Sequence, residues 1–286
     1  MKTVFITGVS TGIGNSCAKI LSSNNYKVFG TVRTEQDSLK LKKEMGTTFY
    51  PIIMDVTNED SIYNAKKIIE REIPNGKLDI LINNAGIALG GPLKYIDTDI
   101  FRKQFEVNFF GLISVTKTFL TLLGATRKNN HEGKIIMISS ISGKQSYPFV
   151  SPYVSSKHAL EGFSDSIRKE LMLYGIDVIL IEPGPVKTAI WDKTPSPNNN
   201  IFSNTEYNSI LKKFYKEVIE KGKSGIDVDI VGNKIKQIIE MQKPKTRYVI
   251  TGNKLINYTL PSILPDRMFD KITAKMLKII KLKNKN

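Results

Sequence analysis

The feature that most constrains this chain is a short apolar run that ends in glycines. Thr3-Val4-Phe5-Ile6-Thr7 leads without a break into Gly8-Val9-Ser10-Thr11-Gly12-Ile13-Gly14, and helix-compatible sequence follows at once. A strand, a glycine turn and a helix start, in that order, suit an anion. Glycines permit positive φ and close backbone approach, and the first helical turn offers unpaired N–H groups at the positive end of its dipole. The spacing is G-x-x-x-G-x-G rather than G-x-G-x-x-G. A turn that merely joins strand to helix would read the same way, so the rest of the chain has to decide.

The alternation continues. Residues 3–7, 27–32, 49–54, 78–83, 134–139, 177–182 and 247–250 read as strands, several of them near-continuous Val/Ile/Leu. Such runs suit strands covered on both faces. Amphipathic stretches at 12–23, 36–45, 61–71, 99–126, 153–173, 206–220 and 228–241 read as helices. The pattern predicts an α/β, Rossmann-type, doubly wound parallel sheet of seven strands with helices on both faces. Residues 1–253 are expected to form a single domain with a loop region inserted at 184–225, and residues 254–286 a basic amphipathic tail. Four prolines between Pro183 and Asn204 mark that loop's start as irregular.

A chain of 286 residues can bury a core without staples, and its one cysteine, Cys17, allows no intrachain disulfide. Together with an N-terminal apolar run too short for a signal segment, this suggests a cytoplasmic protein. Cys17, His131 and His158 form no metal-binding spacing, so no metal is expected. The formal charge of +15 comes mostly from scattered lysines. No basic block interleaves with aromatics, so nucleic acid is not an expected partner.

The second strand names the anion. It ends in Arg33, with no acid before Glu35. A carboxylate there would accept from a ribose 2′-OH, whereas arginine suits a 2′-phosphate. NADP(H) is therefore the expected cofactor, with Ser10 and Thr11 as further hydroxyl donors. Tyr153-Val154-Ser155-Ser156-Lys157 sets a phenol and an ammonium at i and i+4, on one helical face. A nearby cation favours phenolate, which suits a proton-transfer catalyst. His158, at i+1 from Lys157, points elsewhere and reads as structural.

With these residues in hand the chain resembles the short-chain dehydrogenase/reductase family, most of all its hydroxysteroid and retinol dehydrogenase-like members. The pieces arrive in family order: residues 7–14, Asp55-Val56, Asn83-Asn84-Ala85-Gly86, Asn108, Ser139-Ser140, Tyr153 and Lys157, then Pro183-Gly184 through Thr188. The resemblance implies an oxidoreductase interconverting a hydrophobic alcohol and its ketone or aldehyde. Tyr153 would be the acid/base, Lys157 would bind the nicotinamide ribose and lower the tyrosine pKa, and Ser140 would hold the substrate oxygen, with Ser139 as the alternative. Asn108 would carry a water linking Lys157 to solvent. The cofactor would also meet Gly8, Gly12, Ile13, Gly14, Asp55, Val56, Asn84, Ala85, Gly86, Pro183, Gly184, Val186 and Thr188. The competing reading is an NADP(H)-binding sensor or scaffold on the same fold.

On the substrate side, Leu89, Pro148, Phe149, Val150, Ile190, Trp191, Ile201 and Phe202 are expected to form an apolar wall. The resemblance also implies a homodimer, formed through the helices at 99–126 and 153–173. From Leu264 on, apolar residues recur at helical spacing with lysines between them. That tail is read as a helix beside the substrate opening, or as a weak contact with an anionic membrane.

Overall fold

The computed structural model describes residues 1–73, 76–127, 131–188 and 201–281. Among them seven parallel strands form one sheet in the order β3-β2-β1-β4-β5-β6-β7. The strands are β1 (Thr3–Ile6), β2 (Lys27–Val32), β3 (Phe49–Ile53), β4 (Ile80–Asn83), β5 (Lys134–Ile138), β6 (Asp177–Pro183) and β7 (Arg247–Ile250). Each lies within two residues of its sequence-based bounds. β-branched and aromatic runs have few other places to go.

Strand alternation splits the core into two layers. Val4, Ile6, Ile80, Ile82, Ile136 and Ile138 face α1 (Gly12–Ser23), α2 (Glu35–Met45) and α8 (Val228–Glu240). Phe5, Leu81, Ile135, Met137, Val178 and Leu180 face α3 (Glu59–Glu72), α5 (Gly111–Phe119) and α6 (Ser151–Leu171). Each fully buried Leu, Ile or Phe contributes about 1.5–3 kcal/mol, so both faces are held closed and the open ground is left at the strand ends.

One helix departs from expectation. The stretch 99–126 is not continuous: α4 (Thr98–Phe105) passes through a π-helical turn at Glu106–Phe110 into α5, which stops at Phe119. The π turn arises where Gly111 presses on the Val56 carbonyl, since a Cβ there would lie 2.6 Å from that oxygen. Beyond Phe119 the chain turns because its carbonyls are used elsewhere. Leu122 accepts from Leu78 N–H and Leu123 from Gly133 N–H, both at 3.0 Å, and Gly124 takes φ +108°.

After β6 the chain forms α7 (Asn208–Lys223), α8 and β7. It then continues through a π-helical turn at Leu255–Thr259, α9 (Leu260–Ile263) and α10 (Asp266–Leu277). No helix of the described residues is long and apolar enough to cross a membrane.

Candidate active site

Sheet order reverses between β1 and β4, and in open α/β sheets ligands bind at such a crevice. Here it opens into a cavity of about 1270 Å³. The ends of the two strands are stitched together around it. Thr7 Oγ1 accepts from the N–H groups of Asn84 and Ala85, both at 3.0 Å, and Asn84 Nδ2 donates to the carbonyls of Thr7 and Gly8. Gly8 N–H donates to Thr31 Oγ1 at 2.8 Å, which fixes the turn against β2.

The turn leaves α1 open at its N-terminus. Gly12 sits at φ +65°, which favours glycine, and Thr11, the residue that begins the helix, makes no side-chain cap. No acid lies in the first turn of α1, whereas α2, α3 and α8 are capped by Thr34, Asn58 and Asp227. Its free N–H groups are available to an anion.

Every residue expected at the cofactor lines the cavity except Gly14. Gly14 is buried beneath it, where an added Cβ would lie 2.4 Å from both Asn84 Nδ2 and the Gly8 carbonyl. It shapes the turn by packing. Arg33 is exposed on the cavity at the end of β2. Asp55 stands across from it with its carboxyl held low, first by the Thr57 N–H at 2.8 Å and also by Arg33.

α6 starts with Pro152 in its first turn, and its helical period sets Tyr153 and Lys157 one turn apart, with Lys157 buried. The Ser140 side chain acts on the Tyr153 phenol from across the cavity, and Ser140 Oγ accepts from Ser142 N–H at 3.1 Å. Of the serine pair, Ser140 meets the phenol, while Ser139 uses its N–H to join β5 to β6 through the Ile181 carbonyl at 2.8 Å.

The electrostatics differ from the sequence-based picture. Burial holds the Tyr153 phenol above its ordinary value, and the opposing pull comes from Ser140. Lys157 Nζ is turned to the Ile138 carbonyl, 2.7 Å away, and stands 5.9 Å from the Tyr153 ring centroid. Burial pushes Lys157 down to about 8, with the Glu161 charge opposing.

Asn108 lies on the π turn, fully buried. Its Nδ2 donates to the Ile87 carbonyl and to Ser156 Oγ, and its Oδ1 accepts from Ile87 N–H at 2.8 Å. Its amide hydrogens are therefore spent on protein, and it positions the segment after Gly86. His158 is exposed and its Nδ1 faces the Val154 carbonyl, a structural contact.

Of the expected apolar wall, Leu89, Pro148, Phe149 and Val150 line the cavity. Phe202 packs behind it with Leu211 and Phe214, while Ile201 is 89% exposed and faces solvent because the buried side of that turn is taken by Phe202. Ile190 and Trp191 lie outside the described residues. The sequence reading gave the helix at 206–220 and the tail helix but named none of their residues in the wall; α7 supplies Phe214 and Val218, and the tail supplies Leu260, Leu264, Phe269 and Leu277. The tail is tied down by Gln145, whose Nε2 donates to the Tyr258 carbonyl at 3.0 Å, and by Tyr147, whose ring meets Phe269 edge-on. An apolar period in a segment that follows the last strand was the available signal.

A crevice with an open helix N-terminus at one end and Tyr153, Ser140 and Lys157 at the other suits a nucleotide-dependent oxidoreductase. The family described as short chain dehydrogenase matches residues 2–199, and the chain belongs to it. It is 40% identical to an NADPH-dependent 3-dehydrocapnine reductase of Ornithobacterium rhinotracheale, across 97% of this chain and 98% of that one. It is 32% identical to a 3-ketodihydrosphingosine reductase of Bacteroides thetaiotaomicron, over 85% and 86% of the two chains. Mouse retinol dehydrogenase 16 is 30% identical over 94% of this chain and 86% of its own. Among solved structures, an actinorhodin polyketide ketoreductase with NADPH shares the fold at a TM-score of 0.75 and 24% identity, over 90% and 98% of the chains.

Proposed function

We propose that the protein is an NADPH-dependent reductase that converts the 3-keto group of a long-chain amphiphile to a secondary alcohol. The observation that carries the reading is that Ser140, Tyr153 and Lys157 line the same cavity as the open N-terminus of α1. Two relatives support the substrate class, since their names each specify a ketone at carbon 3.

The residues fit the cofactor: Ser10, Thr11, Gly12 and Ile13 would hold its phosphates, Arg33 its 2′-phosphate, and Lys157 its nicotinamide ribose. NADPH supplies a hydride when bound. The protein supplies the proton and the alignment. The Ser140 hydroxyl holds the substrate oxygen, and the Tyr153 hydroxyl gives its proton to that oxygen as the alcohol forms. A phenol held protonated by burial is in the right state to donate. The Lys157 ammonium stabilises the phenolate left behind, and Asn108 keeps the segment after Gly86 in place through Ile87.

The rest of the reading is a cytoplasmic homodimer built on the outer faces of α4, α5 and α6. Phe110, 51% exposed beside these helices, supports that interface, and the single buried Cys17, its thiol pushed up to about 12 by burial, suits a reducing compartment. The test is NADPH consumption by the full chain against a panel of 3-keto amphiphiles and short soluble ketones. Turnover with product alcohol supports the reading. Tight NADPH binding without turnover on any ketone would favour the sensor alternative.

A further inference from the structure

The mouth of the substrate cavity is apolar on its outside as well as its inside. Four tail residues line the cavity and yet stay open to water: Ile256 is 60% exposed, Leu260 41%, Ile272 47% and Met276 36%. A side chain that does both sits on the rim. Beyond the rim the apolar surface continues through Leu255, Ile263, Met268 and Ile280, all more than half exposed. Exposed apolar surface this continuous marks an interaction site rather than ordinary scatter.

The charge around it is net positive. Between residues 254 and 281 there are six basic side chains and two acidic ones, Asp266 and Asp270. On α10 the order is regular: Met268, Ile272 and Met276 run down one stripe, and Arg267, Lys271 and Lys275 run down the stripe beside it, each at i, i+4 and i+8. All three cations are exposed. The opposite face of the helix is anchored, with Leu277 buried against Phe214 and Phe202. The face is thus a fixed surface, apolar at the cavity mouth and basic along its edge.

We propose that this face docks on an anionic bilayer, and that the substrate passes from the bilayer into the cavity through the tail rim. The proposal rests on the reading of the protein as a reductase of long-chain ketones. An apolar stripe flanked by cations matches the boundary between acyl chains and anionic headgroups. A second copy of the chain fits less well, because a two-fold contact through this face would set its basic stripe against itself. Such a mouth spares a long-chain ketone the passage through water.

The test uses the full chain, the quadruple variant Ile263→Ser/Met268→Ser/Lys271→Glu/Lys275→Glu, and vesicles of phosphatidylcholine with or without phosphatidylglycerol. None of the four positions lines the cavity. The expected result is co-sedimentation with the anionic vesicles at least about tenfold above that with neutral ones. It should weaken with salt and be lost in the variant. NADPH consumption on a short soluble ketone should be equal in the two proteins, while turnover of a long-chain ketone presented in anionic vesicles should fall about tenfold or more in the variant. Absent or charge-independent vesicle binding overturns the proposal, as does a wild-type oligomer that the variant dissociates. Loss of soluble-ketone turnover in both proteins would count against the reductase reading alone, because vesicle binding is read separately.

Discussion

Arg247 and Glu161 meet at 2.7 Å across 86 residues of sequence, and the glutamate side chain is only 3% exposed. Arg247 begins β7, and Glu161 lies one turn beyond Lys157 on α6. The same guanidinium reaches Glu182 Oε1 at 2.5 Å and Asp165 at 3.2 Å. One cation on the last strand therefore holds two buried carboxylates behind the helix that carries Tyr153.

Removing that cation should be costly. Arg247→Met leaves Glu161 and Glu182 buried without their partner, and breaking a buried pair in this way costs about 3–5 kcal/mol. Urea unfolding at neutral pH should show the loss. Glu182 is already held above the ordinary glutamate value, first by burial and then by Glu161. A carboxyl raised in the fold lowers stability above its folded pKa and is relieved as it takes up a proton. The deficit of the variant should thus shrink as pH falls through the region above 4.5.

Glu161 also acts on Lys157. Burial pushes that ammonium from 10.5 to about 8, and the Glu161 charge works against the fall. The cost of burying the charged lysine is present below about pH 8 and is relieved as pH rises toward 10.5. Activity that needs the ammonium should run the other way, fading as pH rises through about 8. In Glu161→Gln the alkaline limb of kcat/KM should move to lower pH. An unmoved limb with lowered activity would mean that Glu161 acts only by packing.

Arg33 should set cofactor choice. NADPH is expected to bind at least about tenfold more tightly than NADH, which is about 1.4 kcal/mol. Arg33→Ala should narrow that gap, as read by titration with each cofactor. Equal dissociation constants in the wild type would refute the role of this strand end.

Gly14 offers a structural check. In Gly14→Ala the new methyl would fall on Asn84 Nδ2 and the Gly8 carbonyl, both at 2.4 Å. Overpacking of this kind costs about 1–3 kcal/mol. Thermal unfolding should show the loss, and NADPH affinity should drop with it, because Asn84 also clamps the turn.

The seven strands and the ordered motifs were legible because each is a local pattern: an apolar run, a glycine turn, a Tyr and Lys at helical spacing. The π turn at Glu106–Phe110 was not, since apolar periodicity runs through it unbroken. The Arg247–Glu161–Glu182 cluster was equally hidden, as its members come from three distant elements. The available signal was Glu182 closing an otherwise apolar run, because a charge on a central strand requires a partner. The tail showed its two-sided character in the sequence, but only the fold says that one side closes the cavity.

The central claim is that Tyr153 delivers the proton, and Tyr153→Phe tests it most directly. Turnover and NADPH binding should be measured on the same preparation. The phenyl ring keeps the packing, so the NADPH dissociation constant should stay within about twofold, while kcat/KM falls by about 100-fold to 10,000-fold as the proton donor is lost. Turnover close to the wild type with intact binding would contradict the account.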